Sequence, residues 1–185
     1  MANLYQDFEV LQGGVCLAPS DFPNSVKSLW LRNYTKVVSK ITGVRELTKY
    51  AITGDFLLTD WSFTSFGFIF GYRKKGENGG QEDSFYFLYA YPRDSRIYFK
   101  KQLNEGSIIN IRDDYFNSGI FNDKVAKTFE LIWNGNTGDV EFTIENQPIF
   151  SANDTSFEKG GWGFYTGYTL NSYFVLDNIT VYDVD

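Results

Sequence analysis

The residues able to do chemistry are few, and their types are selective. The chain contains no histidine. Ser-His-Asp and Cys-His constellations and the usual zinc sites are therefore excluded. The single cysteine, Cys16, has no basic neighbour in sequence to activate it, so it reads as a buried, inert thiol. It also rules out an intrachain disulfide, and it leaves the compartment open. Glycoside hydrolysis would need two carboxylates facing one bond. Glu141 and Glu145 share a parity, but they sit in the run Val140-Glu141-Phe142-Thr143-Ile144-Glu145. Such strict alternation makes those acids the wet face of a strand.

Recognition chemistry is better supplied. Sugars offer apolar C–H faces to aromatic rings, and their hydroxyls take hydrogen bonds from Asp, Asn, Arg and Gln. Trp61, Tyr115, Phe116, Tyr165, Tyr168 and Tyr173 fall in predicted loops or strand ends, with Asp60, Arg93, Asp94, Asn117 and Asn171 close in sequence. From these, Trp61, Arg93, Asp94, Tyr115, Tyr165 and Tyr168 are the candidate ligand-binding residues. Trp30, Trp133 and Trp162 are assigned to the core.

Composition narrows the partners. The net charge is −6 and the pI is near 4.7. A nucleic-acid partner is not expected, because phosphate binding needs a basic stripe. Arg73, Lys74 and Lys75 read as a solvated hairpin tip. No apolar run approaches the length of a membrane-spanning helix, so membrane insertion is not expected. Residues 1–7 lack the basic and apolar segments of a secretory leader, and the chain is read as a domain excised from a longer protein. Asn33, Asn153 and Asn178 head Asn-x-Thr triplets, which matter only in a eukaryotic secretory route.

The elements that must carry these residues are strands. Aromatic residues make up 19% of the chain, and they suit a pleated, half-buried surface. Two alternating runs, Thr128–Trp133 and Val140–Glu145, flank an Asn/Gly turn and predict a hairpin. Phe66–Tyr72 and Phe85–Tyr91 are apolar on both parities. Such strands are covered on both faces, or carry an aromatic ligand platform on the outer one. Parity cannot choose that face, and a partner subunit could cover it instead. Strands are predicted at 4–10, 27–32, 35–41, 47–59, 64–73, 84–91, 95–102, 106–112, 127–134, 139–145, 148–151, 161–168 and 173–183. Residues 113–124 form a polar connection with room for one helical turn. Nothing alternates with helices, and there are no repeats or linkers. The prediction is one all-β domain over 1–185, a two-sheet antiparallel sandwich of jelly-roll type.

The order of motifs adds a resemblance. Leu4-Tyr5-Gln6-Asp7-Phe8-Glu9 resembles the opening strand of laminin G-like and carbohydrate-binding sandwich modules. Gly160–Thr166, followed by Tyr173-Phe174-Val175-Leu176-Asp177-Asn178-Ile179-Thr180-Val181, resembles their closing pair. Phe66–Tyr72 and Phe85–Tyr91 are similar to a central pair also seen in thrombospondin C-terminal domains. Phe129–Gly135 resembles the strand ending in Asn-Gly. Together these span nearly the whole chain and resemble the concanavalin A-like lectin/glucanase superfamily, laminin G-like branch.

The resemblance implies that the first and last strands are neighbours. It also implies a structural Ca²⁺ where they meet, with Asp7, Glu9 and Asp177 as its carboxylates. Glucanases of this superfamily carry Glu-x-Asp-x-x-Glu, a pattern from which 141–145 departs. Arg45-Glu46-Leu47 and Tyr98-Phe99-Lys100 faintly resemble alginate-lyase motifs, in the wrong order and without the histidine. The functional expectation is a non-catalytic glycan-binding module, extracellular or at the cell surface, flanked by other domains. An adhesion domain of laminin G or thrombospondin type is the alternative. A polysaccharide lyase or glycoside hydrolase is the second. Fold alone assigns none of them.

Overall fold

A computed structural model describes residues 8–19, 27–40, 47–62, 64–79, 81–122, 124–167 and 172–184. Twelve strands follow one another: β1 (Phe8–Pro19), β2 (Lys27–Ser39), β3 (Lys49–Leu58), β4 (Phe66–Arg73), β5 (Ser84–Tyr91), β6 (Arg96–Gln102), β7 (Ile108–Tyr115), β8 (Lys127–Asn134), β9 (Asp139–Ile144), β10 (Gln147–Asn153), β11 (Gly161–Tyr165) and β12 (Phe174–Asp183). All pairings are antiparallel. One sheet runs β10-β9-β8-β3-β12, the other β11-β4-β5-β6-β7. They pack face to face as a sandwich.

Strand β2 belongs to both sheets. Its first half, at Leu29–Leu31, pairs with β12; its second half, at Lys36–Val38, pairs with β11. β1 follows it along the opposite edge. Strands that change sheet do so at bulges. Here the sequence supplies two. Gly13 has φ +85°, and a Cβ there would lie 2.7 Å from the Thr35 Cα, so only glycine fits. Opposite it, Tyr34 has φ +52° and donates its N–H to the Gly167 carbonyl at 2.8 Å. The Thr35 N–H donates to Thr166 Oγ1 at 3.1 Å, and the Thr166 N–H donates back to the Thr35 carbonyl at 2.9 Å. The predicted strands 27–32 and 35–41 are thus one bent strand. For the same reason the first and last strands are not neighbours, since β2 lies between β1 and β12.

The core is aromatic throughout. Phe68 stands within 5.0 Å, centroid to centroid, of Phe129 and Phe142 from the opposite sheet. Phe56, Phe66 and Phe174 close the next layer at 5.1–6.0 Å. Trp133 and Trp162 are buried as expected. Trp30 is not in this core; it faces outward from β2 against Tyr173, with ring centroids 5.1 Å apart. Close strand approach explains Gly163, because a Cβ there would overlap the Val37 carbonyl oxygen of β2.

One polar node fastens the segment between β10 and β11 to the second sheet. Asp154 accepts from Tyr86 Oη at 2.6 Å, Lys101 Nζ at 2.7 Å and the Ser156 N–H at 2.9 Å. Burial alone would raise the Asp154 carboxyl. The hydrogen bonds from Lys101, Ser156 and Tyr86 outweigh it and hold the pKa at about 2. Of the predicted connection 113–124, residues 113–115 belong to β7, and among the described residues a short turn follows at Ser118–Ile120, capped by the Asn117 side chain, which accepts from the Gly119 N–H.

Candidate functional site

Alternation along β4, β5, β6 and β11 turns one residue set to the core and the other away from it. On β5 the core set is Tyr86, Leu88 and Ala90, and the outward set is Phe85, Phe87, Tyr89 and Tyr91. Ile69 and Tyr72 of β4, Tyr98 of β6, Tyr165 of β11 and Val38 of β2 join that outward set. The result is a continuous ring surface on the outer face of the second sheet. Phe87 stacks on Tyr89 at 5.5 Å and Tyr89 on Tyr98 at 5.2 Å, with interplanar angles of 11° and 18°. Tyr91 meets Tyr89 edge-on at 5.5 Å, and Tyr165 meets Tyr89 at 5.6 Å.

The surface is graded in exposure. Phe85, Phe87 and Tyr89 form its buried floor, while Tyr91, Tyr98 and Tyr165 are half-buried. At its margins Tyr115 is 70% exposed and Tyr34 51%. Burial raises the phenol pKa of Tyr89 to about 12, with the neighbouring Tyr98 adding to it. Burial likewise pushes Tyr91 and Tyr165 upward, each reinforced by its tyrosine neighbours. Neutral phenols keep both a donor and an acceptor for a ligand hydroxyl.

Cations lie over these rings. Lys100 Nζ sits 5.4 Å from the Tyr89 centroid and 5.2 Å from that of Tyr98. Lys36 Nζ sits 5.3 Å from the Phe85 centroid. The Arg96 guanidinium lies between Tyr98 and Tyr115, at 5.0 and 5.4 Å, and is ion-paired with Asp113. Strand pairing explains the Arg96 cluster, because β6 and β7 set Arg96 opposite Tyr115 and Tyr98 opposite Asp113. The arrangement can stack against an apolar sugar face and donate charged hydrogen bonds at its edge.

The predicted ligand-binding residues are divided by the structure. Tyr115 and Tyr165 belong to the ring surface. Arg93 and Asp94 are exposed in the Pro92–Asp94 turn between β5 and β6, at the end of the sheet where Tyr91 and Tyr115 also stand. Trp61 does not join them; it packs, partly buried, against the inter-sheet core. Tyr168 lies outside the described residues. Sequence reasoning missed Tyr89, Tyr91, Tyr98, Lys100, Arg96 and Lys36 as site residues. The unbroken row of rings at 85, 87, 89 and 91 was the available signal.

Two of the predicted metal ligands, Glu9 and Asp177, are engaged by different partners in different parts of the fold. Glu9 is taken by Lys74 at 2.9 Å, opposite Val38 in the ladder. Asp177 is buried on the outer side of the first sheet, accepting from Ser28 Oγ at 3.2 Å and the Asn178 N–H at 2.8 Å. Val38 and Ser28 lie on opposite sides of the bend in β2, in the halves that pair with β11 and β12 respectively. Asp7 lies outside the described residues. Among the described residues no group of three acidic or thiol side chains could hold a metal.

The outer face of the first sheet differs in kind. Over β3, β8 and β9 it carries Thr53, Asp55, Glu130, Thr143 and Glu145 around an open hollow of about 330 Å³. Its acids are already engaged. Asp55 accepts from Asn178 Nδ2 at 2.6 Å, Glu130 from Tyr182 Oη at 2.7 Å, and Glu145 from Thr128 Oγ1 at 3.1 Å.

No protein-family model and no curated protein matches the sequence. Solved structures do match in fold. A carbohydrate-binding module, CBM66 from Bacillus subtilis, superposes with TM-score 0.66 at 12% identity, covering 95% of this chain and 94% of its own. The carbohydrate recognition domain of Emp46p in its potassium-bound form gives 0.62 at 12% identity, covering 98% and 90%. Sheep galectin-11 gives 0.56 at 11% identity, covering 82% and 99%. The chain therefore has the concanavalin A-like, galectin-like sandwich fold that its motif order resembles.

Proposed function

We propose that this chain is a non-catalytic glycan-binding domain, and that its ligand lies on the outer face of the β11-β4-β5-β6-β7 sheet. The carrying observation is the ring surface of Tyr89, Tyr91, Tyr98, Tyr115 and Tyr165, with cations at its edge. A water-facing strand that served only the core would carry polar residues there, as β9 does with Glu141 and Thr143. The similarity in fold to carbohydrate-binding domains supports the same reading. A sugar ring would stack on Tyr98 and its neighbours, while Lys100, Arg96 and the phenols engage hydroxyls. An extracellular or surface setting, within a longer protein, goes with this reading.

The test is a polysaccharide array with reducing-end release followed in the same wells, run with calcium and again with a chelator. Binding without product is the expected result. Chelator sensitivity would reveal an ion requirement. Product release would replace the proposal with an enzyme. Silence on every glycan would favour an adhesion domain, for which edge strand β7 offers exposed Ile108 and Ile109.

A further inference from the structure

The charges on the ring surface point to a class of glycan. The chain has 23 acidic and 17 basic residues, so its mean field repels anions. Several cations near the second sheet are neutralised locally: Lys74 by Glu9, Lys75 by Glu82, Lys101 by Asp154, Arg96 by Asp113 and Arg112 by Asp114. Lys36 and Lys100 are different. Both project from the outer face, both lie over rings, and neither has a carboxylate within ion-pair distance among the described residues. Lys36 is partly buried, and burial lowers its pKa, a cost that the more distant Asp83 only partly offsets. A half-buried ammonium with no carboxylate at ion-pair distance is unfavourable, and an incoming anion relieves it. A ring contact supplies part of that stabilisation, yet it leaves the ammonium donors unused.

We infer that the ligand is an anionic glycan, its carboxylate or sulfate held by Lys36 and Lys100 while its sugar rings stack on the half-buried tyrosines beside them. This rests on the glycan-binding reading above and adds the charge of the ligand to it. Tyr89 lies under Lys100 and stacks beside Phe87, and Phe87 neighbours Phe85 beneath Lys36 at 5.7 Å. The two ammonium groups therefore bracket one continuous strip of rings along β5. An oligosaccharide along that strip could reach both.

The experiment is calorimetric titration of the intact chain with three oligosaccharide sets of equal length: galactan, galacturonan and sulfated galactan. Each is run at 50 and 300 mM NaCl. The expected result is at least tenfold tighter binding of one or both acidic sets, an advantage that shrinks several-fold at the higher salt. The Lys36→Gln/Lys100→Gln double variant should lose most of that advantage, so that the ratio of acidic to neutral affinity falls towards one. The galacturonan and sulfated arms separate a carboxylate from a sulfate ligand. Equal binding of all three sets, or a double variant that retains the full preference, overturns the inference while leaving the glycan-binding reading intact. Binding of none overturns both. Should the double variant fail to fold, the salt dependence of the unaltered chain still decides, because salt-independent binding of the acids sinks the idea.

Discussion

On β9, at one side of the sandwich, the residues turned away from the core are Glu141 and Thr143. On β5, at the other side, they are Phe85, Phe87, Tyr89 and Tyr91. Both strands meet the same interior with the same alternation, and Phe142 of β9 lies on Phe68 of β4 within it. The core therefore constrains only half of the positions on each strand. The other half is free, and the two sheets use it in opposite ways. Over β3, β8 and β9 the acids Asp55, Glu130 and Glu145 accept hydrogen bonds from Asn178, Tyr182 and Thr128. Over β4, β5 and β6 the rings keep aromatic surface near water and draw cations onto it, an arrangement that folding does not require. The glycan-binding proposal rests on that difference between the faces.

The comparison can be broken at four places. The largest effect is expected where the faces share their support. Phe68→Ala should cost about 3–5 kcal/mol by denaturant unfolding, because it empties the layer between Phe129, Phe142 and Phe164. If it left stability unchanged, the two sheets would not share one core. Next is the ring surface itself. Tyr98→Ala should weaken saccharide binding at least tenfold in the titration, with the thermal midpoint moving only a few degrees, since Tyr98 is half-buried. Glu130→Gln on the acidic face should leave binding unaltered, and equal losses at both positions would erase the distinction between the faces.

The pH responses of the two kinds of group come third, and they have opposite signs. The Asp154 carboxyl is held at about 2 in the folded chain, below its ordinary value near 4. The stability it contributes is present above pH 4 and is lost as pH falls from about 4 through 2. Asp154→Asn should flatten that part of the acid unfolding curve. The phenol of Tyr89 titrates near 12 when folded, against about 10 when unfolded. Its contribution is present below pH 10 and is lost as pH rises from about 10 through 12. Tyr89→Phe should reduce that alkaline loss, as followed by phenolate absorbance and circular dichroism. The smallest effect is expected at the exposed Tyr182–Glu130 contact. Tyr182→Phe should change unfolding free energy by less than about 0.5 kcal/mol, because the pair lies at the surface.

Much of the architecture was legible in the chain. The alternation around Asn134–Asp139 places β8, its turn and β9 within a residue of where they stand. Hairpins are local, so their register follows from the turn and from the parity on each side. Phe164 and Phe174, within the closing motifs that carry the resemblance, are both fully buried in the core. The bend of β2 was not legible, because it depends on Gly13 and Tyr34 meeting across a ladder and on contacts to Thr166 and Gly167. The outward face of Trp30 was not legible either, because Leu29 and Leu31 beside it are also apolar and parity alone does not say which set turns inward. The site was legible only in part. Tyr115 and Tyr165 were singled out as aromatics near turns, and both stand on the ring surface proposed as the site. Tyr89 and Tyr98 were not, because Tyr89 sits in a strand that is apolar on both parities and Tyr98 sits inside the strand Arg96–Gln102, away from its turns.

By itself the sequence determined a histidine-free, all-β chain of aromatic strands, with the order of motifs of a lectin-like sandwich. Composition and period suffice for that, because each is read within one strand and its turn. Only the tertiary structure decided which parity of β5 faces the opposite sheet. It set Tyr89 and Tyr98 side by side, placed Lys100 above them, and kept Glu9 and Asp177 apart. Those facts depend on pairings between strands distant in sequence, where a side chain's neighbours come from other strands and its parity names a face without saying what that face meets.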